Sequence, residues 1–392
     1  MTHNQRARLV IENPYTVGII GGGHLGKMIC QEAKRMSLDI IVLDPDPCCP
    51  ASRVCSKQII ADFTDEAAIK KLACRSDVIT YEIELANSAA LAKLKADNYT
   101  VNPSPQTLYL IQNKFRQKSF LSKNKIAVPM FHLIESPAHL SELSNKYSYP
   151  LMMKACEDSY DGRGNFLLTS RDRIPQALSY FNGKECMLEE LLQFKKEISV
   201  MVARNRKGQI ESFPVAENIH IDNILDTTIV PARISNKVAM IAMKIAKKTI
   251  AAFDGAGVFG IEMFVTVNEN VLVNEISPRP HNSGHYSIEA CSVSQFEQHL
   301  RAVLDFPLSR PELLSPVVMV NILGPEDYVG PYIVTGLEEL FSLPGVKIHI
   351  YGKKISKPKR KLGHITATAK NLEQALSRAG KARKAIQLEA SR

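Results

Sequence analysis

Residues 274–286 read Asn-Glu-Ile-Ser-Pro-Arg-Pro-His-Asn-Ser-Gly-His-Tyr, and the fold of the whole chain turns on them. The stretch is rich in chemistry and poor in core residues. Glu275 follows the β-type run Val271-Leu272-Val273, so a carboxylate leaves a strand and enters a proline-stiffened turn carrying Arg279, His281 and Asn282. Loops of that kind commonly bind a ligand. Upstream, Val258 to Val267 is a second β-type run, and Asn268-Glu269-Asn270 between the two is turn chemistry. The pattern predicts an antiparallel hairpin. With a two-residue turn at Asn268-Glu269, Val267 faces Asn270 and Glu262 faces Glu275. Like charges directly opposite destabilise a sheet unless a divalent cation lies between them. Mg²⁺ suits that gap, with Mn²⁺ as an alternative, because it takes one or two carboxylates and completes its shell with phosphates and water. The competing reading is a solvated hairpin with both glutamates exposed, and a one-residue change of register would put them on opposite faces.

Upstream lies a small module that suits a phosphate ligand. Strands are expected at Met130 to Leu133, Leu151 to Ala155, Phe166 to Thr169 and Cys186 to Glu190, with helices at Ala138 to Lys146 and Asp172 to Phe181. Lys154 stands on the second strand, ahead of the turn-rich loop Asp158-Ser159-Tyr160-Asp161-Gly162-Arg163-Gly164-Asn165. This order is not a Walker loop, in which the lysine closes the glycines before a helix. A glycine loop between strands can instead fold over phosphates as a lid, with Lys154 meeting them from the sheet. Most such loops are plain hairpin turns. One connector helix is expected from Gln106 to Lys123, and a polar loop through Glu217, Asn218 and His220 follows a strand pair at Glu197 to Arg204 and Ile210 to Val215.

The first third reads differently. Val17 to Ile20 runs into Gly21-Gly22-Gly23-His24-Leu25-Gly26, then Leu25 to Met36 has helical spacing, a strand follows at Asp39 to Leu43, and Asp44 stands where a ribose-binding acid would be. Taken alone, this is a dinucleotide fold. Strands at Gln58 to Ala61, Val78 to Tyr81 and Tyr99 to Val101, alternating with helices at Asp65 to Ala73 and Ala86 to Lys95, give an open parallel sheet closing near Pro103-Ser104-Pro105.

A chain of 392 residues is too long for one core, and two or three domains are expected. Hydrophobic residues at 45% and charged ones at 23% fit a globular protein, and no run approaches a signal-peptide core or a membrane span, so a cytoplasmic location is expected. The eight cysteines show no Cys-x-x-Cys pair, which argues for reduced thiols and against a zinc site. From Tyr351 to Lys384 there are eleven Lys/Arg against the single acid Glu373, matching the net charge of +9. That cluster fits a nucleic-acid footprint, an anionic-substrate site or a solvated face.

A strand lysine, a glycine lid, the pair Glu189-Glu190 ending a strand and a two-glutamate hairpin together resemble the ATP-grasp fold. More narrowly, the chain is similar to the N5-carboxyaminoimidazole ribonucleotide synthetase family, the ATPase subunit of phosphoribosylaminoimidazole carboxylase. The motifs that carry this are Gly21 to Met28, Asp44-Pro45-Asp46-Pro47, Tyr160 to Gly164, Pro231-Ala232-Arg233, Asn274 to Tyr286 and Arg360-Lys361-Leu362-Gly363-His364. The resemblance implies an α/β and α+β fold with a Rossmann-like pre-ATP-grasp domain at 1–112, a lid domain with its connector helix at 113–193, and a C-terminal ATP-grasp domain at 194–392 that includes the basic segment 351–364. It implies a ligase that joins bicarbonate to the amino group of 5-aminoimidazole ribonucleotide, with ATP going to ADP and phosphate through carboxyphosphate.

The same resemblance assigns residues. Glu262 and Glu275 would hold Mg²⁺ on ATP, with Asn274 as a further ATP contact, while Lys114, Lys154 and the lid residues Tyr160, Asp161, Gly162, Arg163, Gly164 and Asn165 meet the phosphates. Adenine and ribose would lie along Glu189, Glu190, Leu191, Leu192 and Glu197, with His220 as a further ATP contact. Arg279, His281 and Asn282, closed by Tyr160, would take bicarbonate, since a guanidinium fork suits a planar anion. Asp161 would take the amine, Lys353, Arg360 and Lys361 the ribonucleotide phosphate, and His24, Leu25 and Glu82 the nucleotide from the first domain. A homodimer and a separate downstream mutase are implied, with no nucleic-acid or membrane partner. The chain departs from the family at His24, usually glutamine, at Asn113-Lys114, often aspartate-arginine, at Cys48-Cys49, where polar residues are commoner, and at Ile83 to Ala86. Two other readings stay open here: a formate-dependent ribonucleotide transformylase of the same fold, and an NAD-dependent oxidoreductase built on the Gly21 to Gly26 turn.

Overall fold

The computed structural model describes residues 15–157 and 164–391. The first unit contains β1 (Thr16–Ile20), α1 (His24–Arg35), β2 (Asp39–Leu43), β3 (Lys57–Ile59), α2 (Glu66–Ala73), β4 (Val78–Tyr81) and α3 (Ser88–Ala96). Its four strands are parallel in the order β3-β2-β1-β4. β1, β2 and β4 are almost wholly buried, which is why they read as unbroken apolar runs without alternation. The strand expected at Tyr99 to Val101 is reduced to one parallel bridge, Ile79 to Val101.

The expected connector helix is two helices, α4 (Pro105–Ile111) and α5 (Lys114–Lys123). The break has a local cause. Asn113 takes an extended conformation, and its side chain accepts from Arg116 N–H as the cap of α5. The lid module follows with β5 (Phe131–Leu133), α6 (Pro137–Lys146), β6 (Leu151–Ala155), β7 (Asn165–Leu168), α7 (Ile174–Phe181) and β8 (Cys186–Glu190), its antiparallel sheet ordered β5-β8-β6-β7. Leu151, Met153 and Ala155 of β6 point into a core with Leu140, Leu168, Phe181 and Leu188, so period-two alternation sends Lys154 to the opposite face.

The remainder forms a long antiparallel sheet and its cover: β9 (Phe194–Arg204), β10 (Ile210–Ser212), β11 (Ala216–Ile221), β12 (Ile224–Val230), α8 (Asn236–Ala252), β13 (Gly257–Thr266), β14 (Val271–Ser277), α9 (Ser287–Ala290), α10 (Gln295–Val303), β15 (Val317–Leu323), β16 (Gly330–Thr335), α11 (Leu337–Ser342), β17 (Val346–Ile350), β18 (Ile355–Ser356), β19 (Lys361–Thr368), α12 (Leu372–Ala385) and β20 (Gln387–Ala390). The sheet runs β14-β13-β9-β11-β12-β15-β19-β17, with β10 paired to β9. The polar loop expected through Glu217, Asn218 and His220 is instead β11, hairpinned to β12 by Asp222 and Asn223 at φ 49° and 64°. Two successive left-handed residues are what a two-residue type I′ turn requires, and an Asp-Asn pair tolerates them.

The basic segment is not one patch. It is divided among β18, β19, α12 and their loops, and Arg383 of α12 is spent on an ion pair with Asp226. Among the described residues no helix is long and apolar enough to cross a membrane.

Candidate active site

Glu262 and Glu275 face each other across β13 and β14, as the hairpin reading requires, but by a different route. The turn has three residues, Val267 to Glu269, closed by Thr266 N–H to Asn270 O at 2.9 Å, with Glu269 at φ 62°. That moves each pair near the turn by one place, so Val265 faces Val271 and Met263 faces Val273. A bulge at Asn274 then takes up one residue and restores the facing of the two glutamates. Asn274 is therefore the spacer that creates the pair. The exposed edge of β14 is held by Gln117 of α5, whose amide accepts from Ile276 N–H at 3.1 Å and donates to Ile276 O at 3.3 Å.

The two carboxylates live in different fields. Lys114 Nζ lies 2.8 Å from Glu275 Oε2. Loss of solvation favours the protonated acid, but Lys114, with Lys154 and Lys118 behind it, outweighs this and holds Glu275 below the ordinary glutamate range. Glu262 has the His281 imidazole near it, with Nε2 3.6 Å from Oε1. Desolvation, with Glu275 and Glu197 nearby and only partly offset by His220, pushes it up to about 7. His220 of β11 is ion-paired through Nδ1 to Glu197 of β9, and although burial works against its charged form, this carboxylate raises its pKa.

Glu189 at the end of β8 is almost sealed, at 3% side-chain exposure, and is gripped by Lys154 Nζ at 2.6 Å and Lys118 Nζ at 2.9 Å. Burial raises its pKa, but the two ammonium groups overcome that and bring it down to about 2. Glu190 spends one oxygen on Met130 N–H at 3.0 Å. Leu191 is exposed and Leu192 half-buried in the coil joining β8 to β9, where Phe194 stacks on Phe264 at 4.7 Å. Gly164 accepts from Ala155 N–H and Asn165 pairs with Lys154 on β7, whereas Tyr160, Asp161, Gly162 and Arg163 lie outside the described residues.

Arg279 reaches across to the first unit and pairs with Glu84 at 2.8 Å. His281 is buried beside Arg279 and Lys361, and burial first, then those charges, keeps its imidazole neutral, well below the ordinary histidine range. Asn282 exchanges amide hydrogen bonds with Asn321 of β15 at 3.1 and 2.6 Å, which fastens the loop to the sheet. His24, at the start of α1, stacks on Tyr351 with ring centroids 4.3 Å apart, and it shares its surroundings with Lys353, Lys361 and Arg279. Lys353 Nζ donates to Lys361 O at 2.8 Å, and Arg360 donates to Ile355 O at 2.9 Å. Leu25 has its side chain in the core of the first unit.

The glycine turn is where the dinucleotide reading fails. Gly22 N–H donates to Asp44 Oδ2 at 2.7 Å, and Gly23 N–H donates to Glu82 Oε1 at 2.5 Å. The donors that would meet a pyrophosphate at the start of α1 thus end on the protein's own acids. Asp44 is a clamp on this turn, not a ribose ligand, and Glu82 supports the same turn while burial pushes its pKa up to about 7.

Sequence reasoning missed Lys118, Gln117, Glu84, Asn321 and Tyr351. For Lys118 a signal existed, since it stands four residues after Lys114 and so on the same helical face. For Glu84 and Asn321 there was none, because each meets its partner only through tertiary contact.

A carboxylate pair at a sheet edge, with lysines reaching it from a helix and from a separate small antiparallel sheet, defines an ATP-grasp protein. The chain matches the ATP-grasp domain over residues 119–296, the ribonucleotide synthetase preATP-grasp domain over 15–112 and the phosphoribosylaminoimidazole carboxylase C-terminal domain over 317–378. It is 39% identical to N5-carboxyaminoimidazole ribonucleotide synthase of Bacillus subtilis over 350 residues, covering 89% of this chain and 90% of the relative. It is 40% identical to phosphoribosylaminoimidazole carboxylase of Ogataea methanolica, over 91% of this chain and 67% of that one, so it spans about two thirds of the fungal relative. The crystal structure of N5-carboxyaminoimidazole ribonucleotide synthetase from Thermotoga maritima superposes with TM-score 0.89 at 45% identity, covering 96% of this chain and all of that one. The Aspergillus clavatus synthase in complex with ADP and 5-aminoimidazole ribonucleotide gives TM-score 0.88 at 36% identity, over 95% and 98% of the two chains. The chain belongs to the N5-carboxyaminoimidazole ribonucleotide synthase family.

Proposed function

We infer that this chain carboxylates 5-aminoimidazole ribonucleotide on its exocyclic amine, using bicarbonate and ATP and releasing ADP and phosphate, in purine biosynthesis. The observation that carries this is the position of the Glu262–Glu275 pair, with Lys114 on Glu275 and His281 on Glu262. Phosphate-binding cations thus flank one carboxylate, and the Arg279–His281 turn flanks the other.

The donor set fits Mg²⁺. Two carboxylates in register, one pushed up to about 7 by burial and by the neighbouring carboxylates, make a hard-oxygen site that one divalent ion would complete. Bound there with ATP, the ion would neutralise charge on the transferring phosphoryl group. Lys114 orients Glu275 and lies ready for a phosphate oxygen. Lys154 can exchange Glu189 for a phosphate, because Lys118 stays behind as counter-charge. Arg279, held by Glu84, presents its fork to bicarbonate, and Asn282 fixes the turn. In the second step the amine nitrogen bonds to the carbonyl carbon of carboxyphosphate as that carbon's bond to the bridging oxygen breaks. The electron pair and the amine proton leave with the phosphate. Lid closure by residues 160–165 would keep water from the labile mixed anhydride. His24, Lys353, Arg360 and Lys361 gather the ribonucleotide phosphate between the first and last units. The resemblance supports a cytoplasmic homodimer whose carbamate product passes to a mutase.

The test is ADP release from Mg-ATP with bicarbonate, with and without the ribonucleotide, for the wild type and Glu275→Ala. Stimulation by the ribonucleotide that disappears in the variant is expected. No stimulation in the wild type would refute the substrate assignment.

A further inference from the structure

His281 is constrained more tightly than a ligand contact needs. Its peptide is clamped at both ends by Gln295, whose Oε1 accepts from His281 N–H at 2.9 Å and whose Nε2 donates to His281 O at 2.8 Å. Its ring lies against Gly260 of β13, where a Cβ would come within 2.6 Å of His281 Cβ, so only glycine leaves the imidazole room. What remains to be set is which ring nitrogen carries the proton.

Two donors answer that from one side. The Ser283 backbone N–H is directed at His281 Nδ1 at 3.4 Å, and an amide hydrogen cannot rotate away. Ser283 Oγ lies 2.9 Å from the same Nδ1. That hydroxyl accepts from Ser199 Oγ at 2.9 Å, which frees its own hydrogen to point at the ring. Ser199 and Ser283 are both fully buried, so no solvent competes for these bonds. An Nδ1–H, in the other tautomer or in the imidazolium, would set one hydrogen against the Ser283 amide. Nδ1 therefore offers its lone pair, and a neutral imidazole has its single proton on Nε2. Nε2 is the nitrogen that faces Glu262.

We propose that Ser283, backed by Ser199, is a positioning residue that locks His281 as the Nε2–H tautomer, so that His281 presents a hydrogen-bond donor and not a proton acceptor to the bicarbonate-derived group. The ligand in this statement rests on the function inferred above, whereas the tautomer does not. A fixed donor favours the oxygen on which charge accumulates when the amine attacks, and a lone pair there would oppose it. The amine proton then has the departing phosphate as its acceptor, not His281.

The experiment is ¹⁵N NMR of the full chain labelled at histidine, with His281→Asn to identify the signal. The wild type should show the Nε2–H pattern. Ser283→Ala loses the hydroxyl but keeps the Ser283 amide at Nδ1, so it should add a minor Nδ1–H population to a signal that stays mainly Nε2–H, and Ser199→Ala should do so less. A wild-type signal of the Nδ1–H or imidazolium form overturns the proposal whatever the variants do, and so does an unchanged tautomer in Ser283→Ala. In turnover, Ser283→Ala should raise KM for bicarbonate about tenfold, the value of one hydrogen bond, while KM for ATP stays within about twofold. Equal rises in both would also overturn it. Absence of ribonucleotide stimulation would refute the inferred function and leave the tautomer result standing.

Discussion

Glu189 and Glu262 both stand on strands lining the same cleft, and they have opposite fates. Glu189 is sealed, at 3% side-chain exposure, and sits between two ammonium groups at 2.6 and 2.9 Å, with its pKa down to about 2. Glu262 keeps 25% exposure, faces a second glutamate, has an imidazole at 3.6 Å and is pushed up to about 7. One carboxylate belongs to a finished ion cluster. The other stands in a like-charge pair and keeps its residual exposure beside that second carboxylate. A buried charge is tolerated when it is paired, so the difference separates structure from function within one residue type.

The sharpest way to break this contrast is to remove the unfinished pair. Glu262→Ala or Glu275→Ala should lower ribonucleotide-stimulated ADP release by about 10³-fold, in the range expected when transition-state charge loses its stabilising ion. Glu262→Ala should stay folded, because it deletes one member of a like-charge pair, whereas Glu275→Ala also takes the carboxylate from Lys114 and should cost some stability as well. Retained activity with Mg²⁺ would mean that the cation binds elsewhere.

The finished cluster should behave the other way. Lys118→Met leaves Glu189 with Lys154 alone and should cost about 1–3 kcal/mol in urea unfolding, the penalty for a buried acceptor that loses one of its partners. Adding Glu189→Leu should not recover that loss, because it takes from Lys154 the carboxylate it pairs with. If Lys118→Met is neutral in stability, Glu189 is not the structural half of the comparison.

A smaller perturbation tests how the pair is built. Deleting Asn274 removes the bulge and its local bend and twist, so Glu275 stays opposite Glu262 in a regular ladder but its carboxylate is aimed differently. Activity should fall by about 10²-fold or more. Thermal stability should fall by only about 1–2 kcal/mol, because the change is confined to an edge strand.

Legibility in the sequence divides along the same line. The facing of Glu262 and Glu275 could be read because strand side chains alternate with period two, even though the turn was one residue longer than expected and the Asn274 bulge offset that error. Lys154 could be read for the same reason. Lys118 could have been read as well, because it stands four residues after Lys114 on the same helical face, whether the helix starts at Gln106 or at Lys114. Asp222-Asn223 carried the signal for β11 and β12, and missing it turned His220 into a loop residue. The glycine turn was legible as strand, turn and helix, yet its ligand was not. Spacing cannot say whether the N–H groups of Gly22 and Gly23 meet a phosphate or the protein's own Asp44 and Glu82. The Arg279–Glu84 pair joins residues almost two hundred positions apart and belongs to the tertiary fold alone.

The pH dependence of stability gives the two glutamates opposite signs, and this is the smallest effect the comparison predicts. Glu189 titrates lower in the folded chain than at the ordinary 4.5, so its contribution is present above about 4.5 and is lost as pH falls towards about 2. Glu262 titrates higher when folded, so the folded chain holds its proton more tightly than the unfolded chain does. Its contribution is full below about 4.5, declines as pH rises through about 7, and is gone above that. Glu262→Gln keeps the shape of the protonated acid without its titration. Without Mg²⁺, the variant's stability relative to the wild type should therefore rise between about pH 4.5 and 7, by about 1–2 kcal/mol after allowing for coupling to Glu275, and then level off. Mg²⁺ with ATP should cancel that gain by stabilising the wild type alone, since a ligand that binds only the folded state adds its binding free energy to stability. A flat difference across this range, with or without Mg²⁺, would show that Glu262 is already satisfied by the protein, and the distinction between the two glutamates would collapse.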